Sequence, residues 1–454
     1  MRRTLFLVAL VALVFVGGLP TAPGIHAFPV EQPNVLIIVT DDQHVGTLES
    51  MPFTSTMGRR FDNAFVPFSV CCPSRASILT GNNAHTHGVW GNRLPNGGAA
   101  RFDDSSTLAT WLDDAGYETG LFGKYLNRYG EDVPGTYVPP GWDRWLATSS
   151  GGSYFDWVVS DQAVVRSQSG YQTTYYAQQA ADFIENADPS TPVFTYYAPP
   201  APHVPHQPEA MYQGSFDGIA PWRPPSYNED DVSDKPPFLA NRAPLTAAQR
   251  DAADTAYQEH FETMQSVDDS VELLVDTLAE TGRLDTTLIF YLSDNGYLFG
   301  EHRWVGKNTP YDGTTRVPFV IRYDPLGLSG VDDRIVLNID VAPTIADITG
   351  VAAPPMDGMS LVPTFDDTAA TTRARFLLEA AVNDVNEQPH PPYCGARSEK
   401  YVFVHYSGGF EEFYNYRRDP WELRNTASKS PPHMASLRRF AQRECSPTPP
   451  RFTW

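Results

Sequence analysis

Cysteine is scarce in this chain, with 4 in 454 residues. Neither those cysteines nor the 11 histidines fall at the spacing of a zinc site. Positive charge is also short: 33 Lys and Arg stand against 54 Asp and Glu, a formal net charge of −21. That balance excludes a surface built to coat nucleic acid or another polyanion, though not a small basic pocket for one anionic group. Long apolar runs are missing as well. Leu5 to Val16 is an uninterrupted apolar stretch behind Arg2 and Arg3, too short for a membrane span and laid out as a secretory signal peptide over residues 1–27. No cysteine lies near its cleavage region, so neither a stable membrane anchor nor a lipid anchor is expected, and the mature protein is expected to be secreted. There is no internal repeat and no low-complexity tract.

What is present is a globular composition, 41% hydrophobic and 12% aromatic, long enough for two domains. The 40 prolines imply many ordered loops and few long helices. "NVLIIVTDD" from Asn34 to Asp42 is a continuous β-branched run, as expected of a strand buried on both faces. "TPVFTYYAPPAPHVPH" and "TTLIFYLSDNG" repeat the pattern, a strand running into polar residues. Between them lie helical stretches, among them Ser105 to Tyr117, a long one from Thr246 to about Glu280, and "NIDVAPTIADITG", closed by Gly350. Strand and helix alternate, which predicts an open α/β sheet. Three of the strands end in Asp41-Asp42, Asp294-Asn295 and, by way of a proline-stiffened loop, His203. Ligands of such sheets gather beyond the carboxyl ends of the strands. From about Asp366 shorter strands take over, predicting a smaller C-terminal domain with an antiparallel sheet.

Each polar pair has an ordinary reading. Asp41-Asp42 serves equally as a turn or a helix cap, and Asn295-Gly296 as a hairpin turn. Together they offer carboxylate and amide oxygens, which suit a hard cation such as calcium or magnesium. The unusual element is "FSVCCPSRASILTG", with Cys71 and Cys72 adjacent. Neighbouring cysteines seldom bond to each other. Pro73 stands at the first position of a predicted helix with Gly81 at its stop, and Cys71 falls just before its N-terminus, where backbone N–H groups favour an anion. Arg75 one turn on adds donors suited to a tetrahedral oxyanion. In an oxidising, exported setting a free reactive thiol is a poor choice, so a plain cysteine enzyme is disfavoured.

Cys71-Cys72-Pro73-Ser74-Arg75, with the Leu79-Thr80-Gly81 ending, resembles the signature of type I sulfatases. "GKYLN" and "SDNGY" make the resemblance strongest to the glucosamine-6-sulfatase and extracellular heparan sulfatase branch. The resemblance implies an alkaline-phosphatase-like α/β sandwich: a large, mostly parallel sheet in a catalytic domain over 28–365, and the antiparallel domain over 366–454. It implies that a formylglycine-generating enzyme converts Cys71 to formylglycine before folding, and that its hydrate is the nucleophile. Asp41, Asp42, Cys71, Asp294 and Asn295 match the ligands of a divalent cation, Ca2+ or alternatively Mg2+. Arg75, Lys124, His203 and Lys307 match the residues that handle sulfate, with His203 as the proton donor to the leaving oxygen. Asn127 and His302 are implied substrate contacts, and Cys72 fills a variable position and packs.

The implied reaction is hydrolysis of a sulfate ester, with 6-O-sulfate on glucosamine-type sugars or glycans as substrate. Phosphodiester or phosphonate hydrolysis by the same superfamily, and sulfoglycan binding without turnover, are the alternatives. Many sulfatases carry a histidine two places after the lysine; here Leu126 stands there, leaving the base unassigned, with His85 and His87 as candidates. Trp90, Tyr125, Tyr297 and Trp304 are candidates to stack on a sugar or to pack as walls. Cys394 and Cys445 are free to form a disulfide in an oxidising compartment.

Overall fold

A computed structural model of the protein describes residues 32–150, 153–367, 369–382 and 389–454; the expected signal peptide lies outside them. The central element is a ten-stranded sheet. From one edge its strands are Gly330–Asp332, Arg59–Phe61, Phe319–Tyr323, Thr287–Ser293, Asn34–Thr40, Val193–Ala198, Glu118–Gly123, Arg144–Ser150, Asp156–Asp161 and Val164–Ser169. Asn34–Thr40 runs parallel to both neighbours, and the parallel core continues through Glu118–Gly123 to Arg144–Ser150. Antiparallel pairings lie outside that core. The three strands expected to end in polar residues are therefore adjacent. The register pairs Thr40 with Ser293, which sets Asp41 beside Asp294.

The apolar runs are continuous because the sheet is covered on both faces. Val35, Ile37 and Val39 enter one core with Ala76, Leu112 and Ile345. Leu36 and Ile38 enter the other with Ala180, Val267 and Val271. Helices Cys71–Thr80, Leu108–Asp114 and Val341–Thr349 thus cover one face, and Gln172–Asn186 and Ala247–Glu280 the other. The long helix starts where Thr246 and Gln249 form a capping box, reciprocal bonds that satisfy free N–H groups. Helix Cys71–Thr80 begins two residues before Pro73 and ends at Gly81 with φ +69. Pro73 still lies in the first turn, where a missing N–H costs nothing.

Strands Arg375–Ala380, Tyr393–Ser398, Tyr401–Tyr406 and Glu411–Asn415 form the second sheet, antiparallel throughout. Helix Met434–Glu444 covers it through Met434, Leu437 and Ala441. Its other face shares a core with Phe65, Phe68 and Trp304 of the larger unit. Cys394 and Cys445 are joined as a disulfide, Cα atoms 6.2 Å apart.

Candidate active site

The carboxyl ends of the three central strands form the floor of the site. Asp41 and Asp42 leave Thr40, and Asp294 and Asn295 leave Ser293. The Asp42 N–H donates to Asp294 Oδ1 at 3.1 Å, and Asn295 Nδ2 donates to Asp42 Oδ1 at 2.7 Å. Asp42 has φ +68, a left-handed conformation that asparagine and aspartate tolerate better than other side chains. All four of these residues are buried.

Cys71, first residue of its helix, points its sulfur into this group, with Sγ 3.4 Å from Asp41 Oδ1 and 2.6 Å from Lys307 Nζ. One ligand atom from each of Asp41, Asp42, Cys71 and Asp294 lies within 4.8 Å of the others. Calcium binds oxygen at about 2.3–2.6 Å, so ligands around one ion fall within that spread. Asn295 Oδ1 is buried there with no hydrogen-bond partner among the described residues, and an orphaned buried carbonyl oxygen next to three carboxylates suits a hard cation. The donor set therefore fits such an ion.

Four basic side chains converge on the same carboxylates. Lys124 bonds Asp41 and Lys307 bonds Asp42. Arg75, fully buried, donates from Nε to Asp294 Oδ2 at 2.7 Å and from Nη1 to the Lys124 carbonyl at 3.0 Å. His203 Nε2 lies 3.7 Å from Asp42 Oδ2, while its Nδ1 lies 2.8 Å from the Val204 carbonyl oxygen. Lys124 reaches the floor because Gly123, at φ +120, lets the chain press against the neighbouring strand. A Cβ there would meet the Ala198 carbonyl oxygen at 2.1 Å.

These contacts set the charge states. Burial alone pushes the Asp41 carboxyl up, but Lys124, His203, Arg75 and Lys307 outweigh it and hold Asp41 well below the usual range. Asp294 is raised by burial and by Asp41, against the pull of Arg75. Both lysines are raised despite burial, Lys124 by Asp41 and Lys307 by Asp42. Burial and then Asp41 push the Cys71 thiol up to about 12. A protonated thiol is a weak nucleophile.

Above the floor opens a cleft of about 710 Å3, lined by Asp42, Asn127, His203, Tyr297, Trp304 and Lys307 among others. A side pocket of about 190 Å3 reaches Asp41 and Lys124 and shares Asn127 and His203 with it. Asn127 Oδ1 is buried and unpartnered among the described residues. Trp90 also lines the cleft.

Several expected residues are not brought here. His302, expected to contact substrate, turns away: its Nδ1 lies 2.7 Å from Glu229 Oε2 and its ring packs on Tyr311 at 4.3 Å. Glu229 is itself nearly buried, so a polar partner inside the protein outcompetes the cleft. Tyr125 packs in the core against Trp145 and Tyr129 rather than facing the cleft. His85 is bound by Glu379, its ring nitrogen 2.9 Å from a carboxylate oxygen. His87 faces Ser77 at 3.2 Å, and burial, followed by His85, pushes it down to about 3. Neither lines the cleft, so neither can serve as base there. Arg75 holds the ligand carboxylates from beneath and does not line the cleft.

Other residues gave no sequence signal. Asn92 Oδ1 accepts from the Cys72 N–H at 2.9 Å. Asn338 Nδ2 donates to Ser74 Oγ at 2.8 Å. Tyr154 donates its hydroxyl to the His203 carbonyl at 2.7 Å. Their partners lie 20 to 264 residues away in the chain, and single polar residues carry no local pattern. Cys72 is buried in the core.

The layered sheet, with an acidic and basic cluster at its strand ends around one helix-borne cysteine, has the make-up of a hydrolase of anionic esters. The sequence model described as Sulfatase matches residues 33–351, and that of the N-sulphoglucosamine sulphohydrolase C-terminal region matches 300–443. The chain belongs to the sulfatase family, hydrolases of sulfuric esters. It is 34% identical to human N-acetylglucosamine-6-sulfatase over 372 residues, 77% of this chain and 67% of that protein. It is 35% identical to the extracellular sulfatase SULF-1 homolog of Drosophila melanogaster over 73% of this chain, which spans 31% of the fly protein's length. A solved protein in complex with its substrate D-glucosamine-2-N,6-O-disulfate superposes with a TM-score of 0.78 at 23% identity, covering 91% of this chain and 97% of that one. That likeness establishes the alkaline-phosphatase-like fold.

Proposed function

We propose that this protein hydrolyses 6-O-sulfate esters on glucosamine-type sugars, using formylglycine at position 71 and a divalent cation, Ca2+ rather than Mg2+. The carrying observation is the convergence of Asp41, Asp42, Asp294 and Asn295 on Cys71, with Lys124, Lys307 and His203 on the same floor. All-oxygen ligands from carboxylates and one amide favour the larger, geometrically tolerant ion. The name of the human relative, N-acetylglucosamine-6-sulfatase, favours the sugar and the position of its sulfate.

When present, formylglycine supplies a hydrated aldehyde as nucleophile, and the cation supplies a Lewis acid. The chain's own groups do the rest. Lys307, against the Cys71 sulfur, and Lys124, on Asp41 beside it, stabilise the charge spread over the three non-bridging sulfate oxygens. Arg75 keeps Asp294 and the backbone of Lys124 in place. His203, with Nδ1 directed to the Val204 carbonyl, turns Nε2 toward the cleft and protonates the departing sugar oxygen. Tyr297 and Trp90 form the apolar wall against which a sugar face stacks, Trp304 being buried in the core beside them, and Asn127 offers its free amide oxygen to a hydroxyl.

Cys71 has no exposed surface in the folded chain, which supports modification by a formylglycine-generating enzyme before folding. A secreted location rests on the leader-like start of the chain and on the extracellular relatives. Among the described residues no helix is long and apolar enough to cross a membrane.

The test is sulfate release, followed by ion chromatography, from glucosamine 6-sulfate and N-acetylglucosamine 6-sulfate against 3-sulfated, phosphodiester and phosphonate analogues. Release from the 6-sulfates ahead of all others is expected. Turnover of the phosphorus esters alone, or binding of sulfated sugar without turnover, would overturn the reading.

A further inference from the structure

Behind His203 lie three buried histidines, His44, His206 and His260, that the reaction described above does not use. His206 follows His203 closely in the chain, and its Nδ1 lies 2.5 Å from the Pro202 carbonyl oxygen. Its own N–H donates to the His203 carbonyl at 3.2 Å. It thereby grips the backbone on both sides of His203, which Tyr154 also clamps at the same carbonyl. His206 has φ +52, a left-handed conformation that persists in a non-glycine residue only where the surroundings impose it.

Those surroundings are aromatic. The His206 ring stands perpendicular to Tyr297 at 5.7 Å and edge-on to His260 at 5.0 Å. His260, on the long helix, accepts the His44 N–H at Nε2 over 3.1 Å. His44 in turn lies two residues beyond Asp42.

Hydrogen bonding fixes both tautomers. To donate to a carbonyl, His206 carries its hydrogen on Nδ1 and keeps a lone pair on Nε2. His260 accepts at Nε2, so when neutral its hydrogen is on Nδ1. His206 Nε2 and His260 Nδ1 are the atoms of the two rings that lack a partner among the described residues. They are complementary in kind, acceptor and donor, but no hydrogen bond joins them; the two rings meet edge-on. Burial pushes His206 down to about 4, so near neutral pH the ring holds the neutral state this pattern requires.

We propose that His206 is a positioning residue for His203, braced by His260 against the long helix and through His44 against the strand that carries Asp41 and Asp42. The brace fixes the direction of His203 Nε2 relative to the leaving oxygen. This rests on His203 acting as proton donor, as set out above.

The test compares a sugar 6-sulfate, whose alkoxide leaving group needs a proton, with 4-nitrophenyl sulfate, whose leaving group does not. General acids contribute about 10²–10⁴-fold, and small misplacement of a catalytic group costs up to about 10²-fold. H206F is expected to lower kcat on the sugar sulfate by about 30- to 100-fold, with a loss about tenfold smaller on the aryl sulfate. In H203A/H206F the second change should add nothing to H203A. H206N, which keeps an N–H donor and tolerates a left-handed backbone, should restore most of the sugar-sulfate rate and stands in if H206F fails to fold. Equal losses on both substrates, or additive losses in the double variant, would overturn the inference about His206. If H203A itself slows both substrates equally, it is the proton-donor role of His203 that fails.

Discussion

Arg75 Nε donates to Asp294 Oδ2 at 2.7 Å, and neither side chain has any exposed surface. This pair ties the helix that carries Cys71 to the strand end that supplies half of the oxygen cluster. The Cys71 helix and the oxygen cluster are thus joined by a buried charge-assisted bond.

Removing one partner of a buried ion pair strands the other and typically costs about 3–5 kcal/mol. Arg75→Met is therefore expected to lower unfolding stability by about 3 kcal/mol or more and to abolish turnover. Chemical denaturation checks the first outcome and sulfate release the second. Wild-type stability in this variant would show that the pair does not hold the helix in place.

Lys307 bonds both Asp42 and Cys71 and lines the cleft. Lys307→Ala should reduce kcat/KM on sulfate esters by about 10²–10³-fold, the usual effect of deleting one preorganised donor to transition-state charge. Its circular dichroism spectrum should match that of the parent.

Chelation should abolish activity and also lower the thermal midpoint, because an ion bound only by the folded state stabilises it. Ca2+ should restore both. In Asn295→Leu, which removes the orphaned amide oxygen, more Ca2+ should be needed for the same shift, as titration of the midpoint against Ca2+ will show.

His85 and Glu379 link helix Ala84–His87 to the second sheet. Burial alone lowers the His85 pKa, but the Glu379 hydrogen bond and charge outweigh it and raise the value above the ordinary 6.5. A raised imidazole contributes stability that is fully present below its unfolded value and lost as pH rises through its folded value. Denaturation midpoints should therefore fall on the alkaline side of pH 6.5, and His85→Asn should flatten that fall. An unchanged slope in His85→Asn would rule the pair out as its source.

The Cys394–Cys445 bridge spans a sequence separation of 51. Closing a loop of this length contributes about 4 kcal/mol in the chain-entropy account. Cys394→Ser should lose roughly that amount in denaturant unfolding, while kcat changes little, since neither cysteine lines the cleft.

The site was largely legible in the sequence because its parts sit at strand ends. Continuous apolar runs identify buried parallel strands, and the polar residues that break them, Asp41-Asp42 and Asp294-Asn295, mark the sheet's ligand edge. The outer strands Asp156–Asp161 and Val164–Ser169 were not foreseen, since the last is mostly exposed and has no apolar pattern to reveal it. Strand Tyr393–Ser398 and helix Gln172–Asn186 were missed as well. His302 shows the other limit. It sits near Lys307 in sequence, yet Glu229, distant along the chain, decides where its ring points. Such partners come from tertiary packing, which no local spacing encodes.

The most direct test of the account is the mass of the peptide spanning Cys71, from folded, active protein secreted by its native host. The account predicts formylglycine at position 71, with sulfate release scaling with the modified fraction. Cysteine intact at position 71 throughout an active sample would contradict it.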